Sequence, residues 1–175
     1  MLNAKVEKAL NAQINAEFWS AYLYLSMSAD AMQKGYKGIA NWFSVQFQEE
    51  QAHAQIFINY VQSRGGKVTL APIAAVKTEW ASPLEMFQDT LEHEQKVTTL
   101  IDELCHVASI EKDFATANTL VWFVNEQVEE EDNARTIIDQ LKMVADNSLG
   151  LYMIDKELAA RTYVTPAPLA GGSAA

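Results

Sequence analysis

The chain has 175 residues, of which 49% are hydrophobic, and a formal net charge of −10. Its length and its low content of Gly (7) and Pro (4) suit one domain with a sizeable core and exclude a disordered or collagen-like chain. The acidic balance argues against nucleic acid and anionic membranes as partners and favours cations.

Two long amphipathic helices are predicted in the first third of the chain. Apolar residues recur every three or four positions over residues 3–33 and 37–64, which is typical of helices with one buried face. Gly35 interrupts the pattern, and Gly65 and Gly66 end it. Because only a few residues join the two helices, we expect them to be antiparallel.

A second helix pair and a shorter fifth helix follow. Ser82, Pro83 and Glu85 have the order of an N-cap, a first-turn proline and a capping-box glutamate, so the third helix should begin there. The spacing then predicts a fourth helix over residues 114–146 and a fifth over 148–160. We interpret residues 1–161 as one helical domain and residues 162–175 as a C-terminal tail rich in Pro, Gly and Ala.

The connection between the second and third helices, residues 66–81, decides the topology. It is rich in Val, Ala and Pro and lacks the helical spacing. A helix of about 28 residues is about 42 Å long, whereas about 16 extended residues reach roughly 53–58 Å. The connection can therefore run the full length of the helices. The sequence predicts an all-α four-helix bundle with one long crossover between helices 2 and 3 and a short fifth C-terminal helix.

The sequence also indicates a cytoplasmic protein. No apolar run approaches the roughly 18 residues of a membrane span, and the first residues contain no apolar segment of a signal peptide. Cys105 is the only cysteine, which excludes an internal disulfide framework and fits a reducing compartment. It falls on the predicted inner face of the third helix, where we expect it to behave as a small buried hydrophobic residue.

Six polar residues occupy inner positions of these helices where the spacing requires apolar side chains. Three pairs of them are each separated by 77 residues: Glu17 and Glu94, Glu50 and Gln127, His53 and Glu130. Each of the four long helices carries one of the four glutamates near its middle. A single such residue would most simply be hydrated at the bundle surface. Six at matching depths indicate a site to which each of the two helix pairs contributes an equivalent set of three residues.

The residue types favour a metal centre. An ionised carboxylate that is buried without a partner costs several kcal/mol, and no neighbouring inner position carries Lys or Arg. Four carboxylates neutralise two divalent cations, so we expect a dinuclear centre. Carboxylate and imidazole donors without thiolates suit divalent iron.

This pattern resembles the ferritins, and most closely the non-haem bacterial ferritins, over about residues 6–160. The resemblance implies a ferritin-like fold and a first iron ion held by Glu17, Glu50 and His53. It also implies a second iron ion held by Glu94, the bridging Glu50, and the pair Gln127 and Glu130. It assigns a third iron ion nearby to the outer residues Glu49, Glu126 and Glu129, with Glu130 shared.

The same resemblance carries expectations for neighbouring residues. Tyr24 matches the catalytic tyrosine near the site, and Trp122 matches a tryptophan beside the ligands. His53 should donate its other ring N–H to an acceptor that fixes its orientation. Haem is not expected, because Gln51 stands where bacterioferritins have the haem-ligating Met. Animal ferritins line their iron entry channel with acids at places that match Ala117 and Leu120, so that route is not expected here.

The implied function is iron storage. Fe²⁺ would be oxidised to Fe³⁺ by O₂ or hydrogen peroxide at the paired site, which makes the chain a ferroxidase, and ferric oxide would be deposited inside a shell of 24 identical subunits. Two alternatives stay open. A di-iron oxygenase that acts on an organic substrate would need an open apolar pocket, and a non-catalytic iron-binding subunit would have lost ligands that this chain keeps.

Three further expectations concern residues outside this set. His93 and His106 lie one residue off the predicted inner face of the third helix, so we expect surface or interface positions for both. The fifth helix carries Leu149, Tyr152 and Met153 on one side. That side could seal a symmetry axis or cover the helix's own bundle.

Overall fold

The computed structural model describes residues 2–170, which form helices and connecting segments without a strand. The five predicted helices are confirmed to within about two residues at each end. The helices are α1 (Ala4–Gln33), α2 (Lys37–Ser63), α3 (Pro83–Ile110), α4 (Phe114–Val144) and α5 (Ser148–Leu158), followed by the single turn α6 (Ala167–Ala170). The last residues of the predicted tail, 171–175, lie outside the described part.

The helices begin where side chains can satisfy the free N–H groups of a first turn. The Ser82 hydroxyl accepts a hydrogen bond from the backbone N–H of Glu85 (3.2 Å), and the Glu85 carboxylate accepts one from the N–H of Ala81 (2.6 Å). Asn3 and Asp113 cap α1 and α4 in the same way. The capping pattern in the sequence therefore located the start of α3 correctly.

The bundle consists of two helix pairs, α1 with α2 and α3 with α4, which pack together around a common interior. Apolar side chains fill this interior in two clusters at opposite ends. One cluster includes Tyr24, Phe43 and Phe87, and the other includes Leu10 and Phe57. A layer of polar residues separates the clusters at the middle of all four helices. This layer contains the six predicted ligands.

The crossover runs along α1 and is held by its side chains. Asn11 donates to the carbonyl of Lys67 (2.9 Å), and Ser26 donates to the carbonyl of Lys77 (2.8 Å). Near the other end, the Asp30 carboxylate accepts a hydrogen bond from the backbone N–H of Trp80 (3.2 Å). The contacts advance along both segments together, so the crossover spans the bundle as predicted from its length.

Helix α5 docks on the beginning of α2 and completes the end of the bundle. The Asp155 carboxylate accepts hydrogen bonds from the backbone N–H groups of Gly38 and Ile39 at 2.9 Å each, and so caps α2 from outside. Ile154 is buried against the core, whereas the predicted apolar side of α5 is exposed: Leu149 by 67%, Tyr152 by 60% and Met153 by 59%. The helix thus covers its own bundle with its other side.

Gly38 is the residue that allows this docking, and Gly38→Ala should weaken it. A Cβ atom at Gly38 would lie 1.5 Å from the backbone oxygen of Asp155, which a side-chain rotation cannot relieve. We expect an overpacking cost of about 1–3 kcal/mol, seen as a lower melting temperature. The neighbouring Lys37→Ala removes an exposed side chain and serves as the control. Equal melting temperatures for the two variants would contradict the docking.

Within residues 2–170, none of the helices combines the length and the apolar character that crossing a lipid bilayer requires.

Candidate metal centre

The polar layer buries all six predicted ligands. Their exposed fractions are at most 5%: Glu17 1%, Glu50 2%, His53 2%, Glu94 1%, Gln127 4% and Glu130 5%. Burial at these positions follows from the helical register, because each residue continues the inner face that the apolar residues before and after it define. The three polar residues of the first helix pair and the three of the second therefore lie in one layer of the structure.

Glu17, Glu50 and His53 form a compact group of potential metal ligands. One ligand atom from each lies within 4.8 Å of the others. The Nδ1 atom of His53 faces both carboxylates, at 3.5 Å from Oε2 of Glu50 and 3.9 Å from Oε2 of Glu17. Because Glu50 and His53 are three residues apart on α2 and Glu17 faces them from α1, a helix pair suffices to build this group.

The second helix pair contributes Glu94, Gln127 and Glu130. The side-chain amide of Gln127 donates a hydrogen bond to the Glu94 carboxylate (3.1 Å), so its oxygen is the atom that can bind a metal ion. Tyr24 is fully buried, and its hydroxyl donates to Oε1 of Glu94. Tyr24 therefore lies against Glu94, the residue of α3 in the polar layer.

Two further amides support the site and were not assigned a role from the sequence. Gln13 donates to Oε1 of Glu17 (2.7 Å), and Gln46 donates to Oε2 of Glu130 (2.9 Å). Both are buried, and each precedes a ligand on its own helix by one turn. This one-turn spacing is the feature of the sequence from which a supporting role for the two amides could have been inferred. It identifies Gln13 as a partner of Glu17 on α1, but Gln46 binds across the bundle to α4.

Burial and mutual repulsion disfavour the ionised forms of these carboxyl groups. Burial, together with the charge of Glu50, raises the pKa of Glu17 well above its usual value. Burial and the charge of Glu94 raise the pKa of Glu50 well above its usual value and that of Glu130 to about 8. The metal-free layer thus holds protons that a cation would replace.

The donor set fits divalent iron. It offers four carboxylates, one imidazole and one amide oxygen, which are hard or intermediate donors that suit a divalent metal ion of the first transition row. Within residues 2–170, none of the six ligands forms an ion pair with Lys or Arg. A pair of divalent cations would supply the missing positive charge.

The outer carboxylates, which we define as Glu49, Glu126 and Glu129, lie beside the polar layer and are less enclosed. The Glu49 side chain is 18% exposed, the Glu126 side chain is 27% exposed, and Glu129 is exposed. Burial raises the pKa of Glu49, and the positive charge of Arg161 opposes part of that rise. Unlike the inner ligands, Glu49 has a basic partner, Arg161, at 2.6 Å. The sequence did not predict a basic partner for this outer carboxylate.

His93 is buried, so the predicted surface or interface position was wrong. Its side chain is 9% exposed, its Nε2 lies 2.8 Å from the Ser20 hydroxyl, and its ring packs edge-on against Tyr24. Burial lowers the pKa of His93 to about 4, so the ring is neutral at pH 7. The inner face of α3 is turned by about one residue relative to the prediction, so Leu104 is buried and Cys105 only half-buried.

The environment of His53 also differs from the expectation. Among the described residues, no acceptor forms a hydrogen bond with its Nε2, and the Glu126 carboxylate lies 4.0 Å away. The ring is instead held by packing, with Trp122 and Phe123 edge-on at centroid distances of 5.5 and 5.9 Å. His106 is exposed, as expected.

Comparison with known proteins finds relatives along nearly the whole chain. The Ferritin family, described as a ferritin-like domain, matches residues 7–144. A bacterial non-heme ferritin of Bacteroides fragilis (strain 638R) is 44% identical over 161 residues, which cover 92% of this chain and 100% of that protein. A bacterial non-heme ferritin of Staphylococcus aureus (strain USA300) is 40% identical over 163 residues, which cover 93% of this chain and 98% of that protein.

Solved structures give the same result. An open pore ferritin from the hyperthermophilic archaeon Archaeoglobus fulgidus superposes with a TM-score of 0.92 at 46% identity and covers 93% of this chain and 100% of its own. A closed form of the A. fulgidus ferritin, engineered by site-directed mutagenesis, superposes with a TM-score of 0.93 at 46% identity and covers 94% and 100%. The predicted bundle topology is confirmed.

Proposed function

Because the chain belongs to the ferritin family, we propose that it stores iron by oxidising Fe²⁺ at the buried polar layer. The observation that carries the proposal is the burial of four carboxylates, one per helix, with no basic partner in the described ion pairs. Such a layer is stable in its ionised form only with cations inside it. Fe²⁺ is here the substrate, and the ferric product is the stored material.

The ligand geometry supports a paired centre in which Glu50 is shared. Glu17 and His53 lie on one side of it, and the charge of Glu94 acts on it from the other. Each ferrous ion would lose one electron to O₂ or hydrogen peroxide, and the carboxylates favour Fe³⁺ because its higher charge binds more strongly to hard oxygen donors. Gln127 is neutral, so it holds the second ion less tightly than a carboxylate at that place would, which favours onward transfer.

The outer carboxylates would bind a third iron ion with a share of Glu130. Their partial exposure supports a role between the buried pair and the surface. The hydrogen bond from Tyr24 to Glu94 supports a role for this tyrosine in the reaction at the second position. We propose no haem, since the proposed chemistry uses the carboxylate layer alone.

We further propose that the subunits assemble into a 24-subunit shell in the cytoplasm, with ferric oxide deposited inside. The relatives named above, which are ferritins, support this assembly, and the acidic charge of −10 suits a surface that attracts Fe²⁺. The exposed apolar residues of α5 and α4 are consistent with subunit contacts, since large exposed apolar patches mark interfaces.

The oxygenase alternative receives no support from the cavities beside the bundle. The cavity of about 570 Å³ at the start of α3 is lined by Tyr36, Leu84, Leu141 and Leu151 among others, and by none of the predicted ligands. The non-catalytic alternative would require missing ligands, and all six are present and buried.

The experiment that tests the function combines iron oxidation with particle size. Fe²⁺ is added in air to the metal-free protein, ferric absorbance is followed, and the product is separated by size-exclusion chromatography with light scattering. We expect rapid ferric formation, with many more than three irons per subunit eluting with a particle near 24 times 19.5 kDa. A dimer that oxidises iron without retaining it would contradict storage and favour the oxygenase.

A further inference from the structure

Arg161 follows α5 and points its guanidinium at the outer edge of the polar layer. Its Nη2 atom lies 2.6 Å from Oε2 of Glu49 and 2.5 Å from Oε1 of Gln46. The guanidinium carbon also lies 4.5 Å from the centre of the Trp42 ring, a cation–π arrangement. The Arg161–Glu49 pair is mostly enclosed, with 23% and 18% of the two side chains exposed.

The backbone around Arg161 is fixed, so this contact is built into the fold. The side-chain amide of Asn41 on α2 donates to the carbonyl of Arg161 (2.9 Å), and it also lies within 3.4 Å of the carbonyls of Leu158 and Ala159. These bonds anchor the end of α5 beside Trp42. The backbone of Arg161 is therefore fixed near Glu49, and its planar guanidinium loses less rotamer entropy per hydrogen bond than an ammonium group would.

Gln46 extends the contact to the buried layer. Its amide oxygen accepts from Arg161, while its amide nitrogen donates to Oε2 of Glu130 at 2.9 Å. Glu130 is shared between the second and the third proposed iron positions. The positive charge of Arg161 is thus one amide group away from a carboxylate that both positions use.

We propose that Arg161 is an internal counter-cation for the third iron position. Its guanidinium pairs with the Glu49 carboxylate in the metal-free protein and must leave that carboxylate when a metal ion binds there. A guanidinium 2.6 Å from Oε2 of Glu49 and a divalent ion on the same carboxylate repel each other and compete for its negative charge. Arg161 thereby keeps the third position weak relative to the buried pair, so that ions pass through it and do not remain. This inference rests on the proposed function, because it presupposes metal in the paired centre.

The test uses Zn²⁺, which does not change oxidation state, and the full-length metal-free protein. Isothermal titration calorimetry of the wild-type chain should resolve two Zn²⁺ ions per subunit that bind tightly and a third that binds more weakly. In Arg161→Gln the third equivalent should tighten by about tenfold, the factor that one partly buried charge-assisted pair supplies. Arg161→Lys keeps the positive charge and should stay close to the wild type, which separates charge from the loss of a large side chain.

Trp42 gives a second measurement that needs no Arg161 variant. Departure of the guanidinium from the Trp42 ring should change tryptophan fluorescence as the third equivalent binds, and Trp42→Phe should lose that step. Two tight equivalents with no third, or a third that Arg161→Gln leaves unchanged or weakens, would overturn the role of Arg161. If the wild-type protein did not bind two Zn²⁺ ions tightly per subunit, the proposed function would instead be overturned.

Discussion

Glu50→Gln is expected to lower the initial rate of aerobic Fe²⁺ oxidation by at least about 100-fold, because even the hydrogen-bond partners of metal ligands cost about 10- to 100-fold when removed. Glu50 lies against Glu17 and His53 in the first group, and Glu94 and Glu130 act on its carboxylate from the second. In the proposed centre its loss would therefore affect both iron positions, whereas Glu17 would be a ligand of the first position only. Stopped-flow absorbance of the ferric product measures the effect.

The substitution preserves the size of the side chain, so the packing of the polar layer should be kept. Glu103→Gln removes one negative charge from an exposed position on α3 and controls for net charge. Glu17→Gln should cost less than Glu50→Gln, since it removes a ligand from the first position only. A Glu50→Gln rate equal to that of Glu103→Gln, or a larger loss in Glu17→Gln, would contradict the shared-ligand arrangement.

The inner layer could be predicted from the sequence because its residues break a strong pattern. The helices require apolar residues at inner positions, so Glu17 and its five companions stood out individually. The fixed spacing within each helix pair then placed them at one depth. The crossover was predictable for a different reason, since chain length alone limits how far residues 66–81 can reach.

The remaining features depend on how separate elements turn toward each other, which sequence spacing does not specify. Arg161 lies in an irregular segment after α5, and only the docking of that helix on α2 brings it to Glu49. His93 illustrates the same limit, because a rotation of α3 by one residue decides between surface and core. Ser20, a small residue on α1, leaves room for the His93 ring at that contact.

The metal-free protein should lose stability as pH rises from 6.5 to 8, and metal should reverse the trend. Burial and the charges of Glu94 and Glu49 raise the pKa of Glu130 to about 8 in the folded state, from a usual value of 4.5. Between these values the folded state binds more protons than the unfolded state, so the free energy of unfolding falls with increasing pH. His93 has the opposite effect, because its pKa is lowered to about 4 from a usual value of 6.5, but most of that contribution is already gained below pH 6.5.

Zn²⁺ should stabilise the folded protein more at pH 8 than at pH 6.5, because it binds the ionised carboxylates and must displace protons at the lower pH. At a free concentration of about 1,000 times the dissociation constant the gain is about 4 kcal/mol. Scanning calorimetry with and without Zn²⁺ at both pH values measures this difference, and Glu130→Gln should flatten the metal-free trend. A metal-free melting temperature that rises toward pH 8 would show that the layer is not held protonated. The carboxylates would then already be balanced by groups within the fold, and the electrostatic need for a bound cation would disappear.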